Sequence, residues 1–327
     1  MVKDYNPPKD GSLAFGESSR VPTTLPLRRA PKKRLIIIDS NSIVHRAFHA
    51  LPPLSTKSGE VVGAVYGFLL VFLKALRELQ PDYIVATFDL PGPTFRHEKF
   101  KEYKATRPPT AQGICEQLPK VKEILKAFNI SIFEKQGFEA DDIIATIANL
   151  VSGQNGKMEL ETIILSGDSD TFQLVDKNTK VYFLRKGVKD TVLYDENRIL
   201  EKYEGLSPEK LADFKGLKGD PSDNIPGVKG IGEKTAIGLI LKFGSLEGLY
   251  REIEGNSEKV KEIPARIKEI LIKGKEQAFL SKDLSQAERN APIDFDLKEC
   301  LWQNLDKEKA KEIFEKLEFK SLINRLP

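Results

Sequence analysis

Carboxylates are the side chains of this 327-residue sequence whose spacing could do chemistry. Glu139, Asp141 and Asp142 stand together in Gly137-Phe138-Glu139-Ala140-Asp141-Asp142, directly ahead of the apolar run 143–148. Asp39 closes the aliphatic run Leu35-Ile36-Ile37-Ile38, Asp89 follows the apolar stretch 83–88, and Asp168 and Asp170 follow the stretch 161–165. Acidic residues at the start of a helix can be simple caps, since they interact well with the macrodipole and the free N–H groups. Seven carboxylates on one sheet edge would repel, however, and several would have raised pKa values unless a positive charge joined them. An all-oxygen set of this kind suits Mg²⁺ or Mn²⁺, not zinc. His45, His49 and His97 have no metal-ligand spacing among themselves, and Cys115 stands alone, so the expected ion is a hard one.

The elements that would gather these residues can be read from the runs that precede them. Residues 35–38 are a short, continuous aliphatic run, the pattern of a strand buried on both faces of a parallel sheet, and 83–88, 130–133 and 161–165 read as further strands. Residues 64–79 read as a helix between the first two, and 180–184 and 192–194 read as two further strands. Alternating strands and helices predict a doubly wound α/β sheet, whose ligand crevice lies at the carboxyl ends of the strands. Every carboxylate named above follows a strand, so all are expected on that edge.

Two other stretches fit a nucleic acid. Residues 95–109 interleave basic residues with Phe95, Phe100 and Tyr103 and end in Pro108-Pro109, a mixture suited to phosphates and stacked bases, or to a solvated amphipathic helix with an aromatic anchor. Residues 219–236 carry Asp220 and Asp223, three apart and able to face the acidic edge. The turn Gly227-Val228-Lys229-Gly230-Ile231-Gly232 then opens a helix that ends near Phe243-Gly244. Closely spaced glycines before a helix offer backbone N–H groups to a phosphate. The spacing is neither that of a Walker loop nor, with no buried strand ahead of it, a dinucleotide fingerprint. It resembles the hairpin of helix-hairpin-helix modules.

Composition bounds the rest. Fifty-one basic and 48 acidic side chains leave a net charge of +3, which allows acidic and basic regions on one molecule, and 40% hydrophobic residues are enough for a packed interior. Two distant cysteines predict packing thiols in a reducing, cytosolic setting, and the sequence lacks a membrane span or signal segment. Residues 1–31, rich in proline and ending near a basic cluster, read as a disordered tail. Short amphipathic helices are expected at 263–273, 277–285 and 307–317.

Five stretches, in order, resemble the 5′-nuclease (flap endonuclease-like) family, specifically the N-terminal 5′→3′ exonuclease domain of bacterial DNA polymerase I: 95–98, 103–109, 137–142, 167–170 and 219–232. The resemblance covers the chain from about residue 34 onward. It implies an α/β fold: a PIN-like parallel-sheet nuclease core at 32–204 with a helical arch at about 92–112, a helix-two-turn-helix DNA-binding region at 205–290, and a helical segment at 291–327 packing on the core. By motif, Asp39, Asp89, Glu139 and Asp141 would hold a first Mg²⁺ (or Mn²⁺), and Asp168, Asp170 and Asp223 a second. Asp142 and Asp220 would support them through water. Lys104 and Arg107 would contact the scissile phosphate and, with Asp141 and Asp168, carry catalysis. Arg46, Arg96 and Tyr103 would meet DNA, as would Gly227, Lys229, Gly230, Gly232 and Lys234 of the hairpin, where the Val228 and Ile231 carbonyls could hold K⁺.

The function implied is metal-dependent hydrolysis at 5′ ends and flaps of branched DNA in replication and repair. The protein would be a cytoplasmic, nucleoid-associated monomer with a polymerase domain in cis or in trans. Ser40 and Ser169 depart from the glycine and lysine usual in relatives, but neither removes a carboxylate. A non-catalytic DNA-junction-binding module is the alternative, and it would be expected to lack a metal carboxylate or the Lys104/Arg107 pair. A phosphoryl-transfer enzyme acting on small molecules would have no use for the glycine hairpin or the basic segment.

Overall fold

The aliphatic run that ends in Asp39 forms β1 (Lys33–Asp39), and Leu35 through Ile38 are all buried. Only a strand covered on both faces buries every residue of such a run. The computed structural model describes residues 32–153, 160–303 and 305–326, so the predicted tail at 1–31 lies outside the described residues. Lys32–Pro327 forms one compact unit.

After β1 come α1 (Ser40–Ala50), α2 (Gly63–Leu79), β2 (Tyr83–Thr87), α3 (Phe95–Lys99), α4 (Gln112–Cys115), α5 (Leu118–Ala127), β3 (Ser131–Phe133), α6 (Ala140–Gly153) and β4 (Leu160–Ser166). A 3₁₀ turn, Ser169–Leu174, leads to β5 (Thr179–Lys186), β6 (Asp190–Tyr194) and α7 (Glu196–Lys202). The sheet order is β3-β2-β1-β4-β5-β6, parallel except for β6, which forms an antiparallel hairpin with β5. Strand order therefore reverses between β1 and β4, and the crevice expected at such a switch point opens outside their carboxyl ends, beside Asp39 and Ser166. α1, α2 and α5 pack on one face with a C-terminal helix, Lys307–Lys316, through residues such as Phe68, Phe72, Phe128 and Phe314. α6 covers the other face through Ile143, Ile144 and Ile147.

The chain then becomes helical: α8 (Leu211–Lys218), α9 (Glu233–Phe243), α10 (Leu246–Glu254), α11 (Glu258–Lys261), α12 (Ala265–Lys273), α13 (Lys275–Ser285), α14 (Lys307–Lys316) and α15 (Lys320–Ile323). α8, α9, α10, α12 and α13 share a core of their own that includes Leu217, Ile237, Leu249 and Leu271. The hairpin between α8 and α9 is anchored in it by Val228 and Ile231. Cys300 is buried, whereas Cys115, expected to pack, is exposed. No helix among the described residues is long and apolar enough to cross a membrane.

The segment expected to arch as a helix across 92–112 is helical only at its two ends, in α3 and α4. Residues 101–107 between them form successive turns, with Lys104 in the left-handed region at φ 56°. Pro91, Pro93, Pro108 and Pro109 bound the stretch, and proline disfavours helix in the residue before it. The helix expected from residue 263 begins at Ala265, because Pro264 stands at its N-cap.

Candidate active site

Asp39 ends β1 and caps α1, accepting a hydrogen bond from the Ser42 amide at 3.2 Å. Ser166, the last residue of β4, donates its hydroxyl to the other Asp39 oxygen at 2.5 Å and accepts from the Asp168 amide at 2.8 Å. The Gly167 amide donates to the Ser42 hydroxyl at 3.0 Å. Two serines thus lace the ends of the two central strands together and fix the spacing of Asp39 and Asp168. Asp89, beyond β2, accepts from the Ala140 amide at 2.7 Å, which pins the start of α6, and with it Asp141, to the same edge.

These carboxylates crowd one another. Burial raises the Asp39 pKa to about 6, with Asp168 adding to the effect against hydrogen bonds from Ser166 and Ser42. Asp141 stands well above the usual carboxylate range, through burial first and then through Asp168, Asp39, Asp170 and Asp89. Among the described residues, none of Asp39, Asp141 and Asp168 forms an ion pair. They line a cavity of about 420 Å³ together with Arg46, His45 and Arg107. Oxygen-only and mutually repelling, with Asp39 buried and Asp141 and Asp168 half-buried, these side chains have the donor chemistry of a hard divalent cation site.

The other acids are held by the protein's own cations. Glu139 accepts from Lys104 Nζ at 2.6 Å and from the Tyr103 hydroxyl at 3.0 Å. Burial pushes Glu139 upward, but Lys104 and Arg96 outweigh it and leave its pKa lowered. Asp223 pairs with Arg107 and accepts from Tyr103 at 3.4 Å, while its carbonyl accepts from the Lys104 amide at 2.9 Å. Lys215 of α8 bridges Asp170 and Asp220. Burial still takes Asp170 up to about 6 despite Lys215, whereas Lys215 and Ser222 bring the less enclosed Asp220 down to about 2. Among the described residues, no three carboxyl, imidazole or thiol groups converge closely enough to enclose a single ion.

Several expected contacts fall elsewhere. Arg96, expected at DNA, is only 3% exposed and donates to both oxygens of Asp142 at 2.8 and 2.7 Å. Asp142, expected to support a metal, is fully buried, and it also accepts from the Glu139 and Glu288 amides. Both side chains are saturated by this internal pair. Tyr103, expected to stack on a base, is buried and orients Glu139 and Asp223. Gly227 is buried as well. Its amide donates to the Ser281 hydroxyl at 3.0 Å, and a Cβ there would lie 2.2 Å from the Gly219 nitrogen. That amide is therefore taken up inside the protein.

Lys229, Gly230, Gly232 and Lys234 are exposed, as a surface hairpin requires, and Gly230 has the positive φ, 97°, of such a turn. The Val228 carbonyl accepts from the Ile231 amide at 3.0 Å. Arg46 donates to the Gly167 carbonyl at 2.7 Å at the rim of the crevice. Sequence reasoning missed Ser42, Ser166 and Lys215. The serines sit beside motif aspartates and could have been suspected as caps; Lys215 stands five positions before Asp220, but its bridging role depends on Asp170, 45 positions away.

These shifts set a pH dependence for the ion-free protein. A carboxyl raised from 3.8 to about 6, such as Asp39, opposes folding at neutral pH, and that opposition fades as pH falls through 6. Asp39 alone gives on the order of 1 kcal/mol between about pH 7.5 and about pH 5.5, and Asp141 and Asp170 act in the same direction. His45, lowered from 6.5 by burial, acts against them, and the favourable contribution of Asp220, lowered from 3.8 to about 2, is lost below that interval, as pH falls through 3.8 toward 2. The thermal midpoint in EDTA should rise over that interval, and a saturating divalent ion should remove the rise. A midpoint in EDTA that falls steadily from neutral pH would contradict the charge cluster.

Comparison with known proteins places the chain in context. A family profile described as 5′-3′ exonuclease, N-terminal resolvase-like domain, matches residues 34–204, and one described as 5′-3′ exonuclease, C-terminal SAM fold, matches 206–308. DNA polymerase I of Bacillus subtilis (strain 168) is 42% identical over 295 residues, which is 90% of this chain and 32% of the relative. The thermostable DNA polymerase I of Thermus thermophilus is 39% identical over 294 residues, again 90% of this chain and 33% of the relative. The chain thus spans about a third of the length of the curated relatives it matches. T5 5′-exonuclease with bound divalent zinc shares the fold at a TM-score of 0.61 and 20% identity, covering 86% of this chain and 99% of that one. The catalytic core of Rad2 in complex with DNA substrate does so at 0.55 and 21%, covering 90% and 93%.

Proposed function

The chain belongs to the 5′-3′ exonuclease family, and from that premise we propose that it hydrolyses phosphodiester bonds at 5′ ends and flaps of branched DNA with two divalent ions, Mg²⁺ or Mn²⁺. The observation that carries this reading is the group Asp39, Asp141 and Asp168 at the switch point, which forms no ion pair among the described residues and opens on a cavity that Arg46 and Arg107 also line. A crowded acidic group of this kind gains when cations join it.

Asp39, Asp89, Glu139 and Asp141 would hold one ion, and Asp168, Asp170 and Asp223 the other, with Asp220 in support. Bound divalent ions supply an activated water and neutralise charge on the attacking and leaving oxygens. The chain's own groups do the rest. Lys104 and Arg107, which rest on Glu139 and Asp223, are placed to turn toward a phosphate and stabilise charge developing on its oxygens. Tyr103 and Arg96 hold Glu139 from behind. Arg46 takes a phosphate at the rim. Lys229, Gly230, Gly232 and Lys234 hold the duplex backbone away from the cut, with K⁺ at the Val228 and Ile231 carbonyls.

We assign 32–204 to the nuclease core with its arch at 92–112, 205–290 to DNA binding, and 291–327 to packing on the core. The burial of Ala310 and Phe314 within the sheet's helical layer supports the last assignment. The protein acts as a monomer in the cytoplasm, at the nucleoid, with a polymerase domain in cis or in trans. The test is a 5′-labelled flap substrate incubated with Mg²⁺ or with EDTA. Cleavage that requires the ion is expected, and product length separates flap release from single-nucleotide trimming. An uncut flap in Mg²⁺ would overturn the proposal.

A further inference from the structure

One cation of the site has no part in that scheme. Lys215 lies in α8, its Nζ is 2.7 Å from Asp220 and also pairs with Asp170, and its side chain is 18% exposed. Asp170 belongs to the turn after β4, while Lys215 and Asp220 belong to the helical part of the chain. Lys104 and Arg107 also hold acids, but Arg107 lines the crevice cavity, whereas Lys215 lies outside that lining. Beside it is a space of only about 20 Å³, lined by Asp170, Gln173, Tyr203 and Phe214 among others, enough for about one water. That space is too small for a phosphate.

We propose that Lys215 is a positioning residue, a resident counter-ion that joins Asp170 to Asp220 across the seam between sheet and helices and that a divalent cation must displace to bind those carboxylates. The proposal rests on the two-ion reading given above. A +2 ion and an ammonium cannot both occupy the short space between the same oxygens without strong repulsion. At the first ion's set Asp39, Asp89 and Asp141 form no ion pair among the described residues and only Glu139 must leave Lys104; at the second, Asp170 must leave Lys215 and Asp223 must leave Arg107. The two ions therefore bind with unequal affinity, the weaker at the Lys215 end. While that end is without an ion, the lysine keeps two half-buried carboxylates from separating the helical part from the sheet. It acts on the reaction through Asp170 and Asp220 and touches no reacting atom.

The test is Mn²⁺ binding by the full chain, followed by the electron paramagnetic resonance signal of the free ion, alongside the thermal midpoint in EDTA. Wild type should show two unequal classes of site. Lys215→Met should tighten the weaker class by about tenfold or more, the scale on which groups around a metal site move its affinity. Its midpoint in EDTA should fall, then recover on adding Mn²⁺ by a larger shift than wild type shows. Lys215→Arg, which keeps the charge, should keep the weak class weak. If Lys215→Met does not fold, Lys215→Gln removes the charge while keeping a hydrogen-bond donor and is read in the same way. Two Mn²⁺ classes unchanged by the neutral variants would overturn the proposal. A wild type that binds no Mn²⁺ would overturn the two-ion reading itself, a separate outcome.

Discussion

Asp141→Asn should cut 5′-flap hydrolysis by at least about a thousandfold while leaving flap affinity unchanged or slightly tighter. The asymmetry follows from where the residue sits. Asp141 is in the first turn of α6, half-buried, and its charge is disfavoured by burial and then by Asp168, Asp39, Asp170 and Asp89. It is the carboxylate on which the others converge, so its removal takes a ligand from the centre of the cluster. The amide has the same shape, and the start of α6 stays pinned by the Asp89 bond to the Ala140 amide, so the fold should tolerate the change. Removing one negative charge also eases the approach of a polyanion. Single-turnover cleavage in Mg²⁺ and flap binding by fluorescence anisotropy in Ca²⁺ separate the two effects. Normal turnover by this variant would sink the metal assignment.

The sheet was legible because its signals are local. A run such as Leu35-Ile36-Ile37-Ile38 has one stable use in a chain of this composition, and the aspartate at its end can lie only on the carboxyl edge. Asp39, Asp89, Asp141 and Asp168 all stand there. The basic-aromatic segment 95–109 was legible as a type of surface but not residue by residue. Arg96 and Arg107 look alike in sequence, yet one is buried and the other is half-exposed on the crevice. What decides between them is Asp142, 46 positions beyond Arg96, together with carbonyls nearly 190 positions beyond it. No local pattern encodes that choice. The hairpin glycines divide for a similar reason: Gly227 is fixed by its approach to Gly219 and Ser281, while Gly230 only has to turn.

Arg96→Met is therefore expected to act on stability. The guanidinium donates twice to Asp142, once to the Leu284 carbonyl at 2.9 Å and once to the Gln286 carbonyl at 2.8 Å, and it lies 4.5 Å from the centre of the Phe95 ring. It ties α3 to α6 and to the segment leaving α13, the three elements that frame Glu139. Methionine fills part of the volume but leaves the Asp142 charge buried with only two amides for partners. Breaking a buried pair from one side costs about 3–5 kcal/mol. Urea unfolding in EDTA should show that loss. The double change Arg96→Met with Asp142→Leu should recover much of it, because no buried charge is then left alone. A DNA-contacting arginine would behave in the opposite way. Its removal would leave the unfolding midpoint in place and reduce the salt dependence of flap binding by about one phosphate contact. An unchanged midpoint together with a flatter salt dependence would return Arg96 to the DNA surface and leave the burial of Asp142 without its partner.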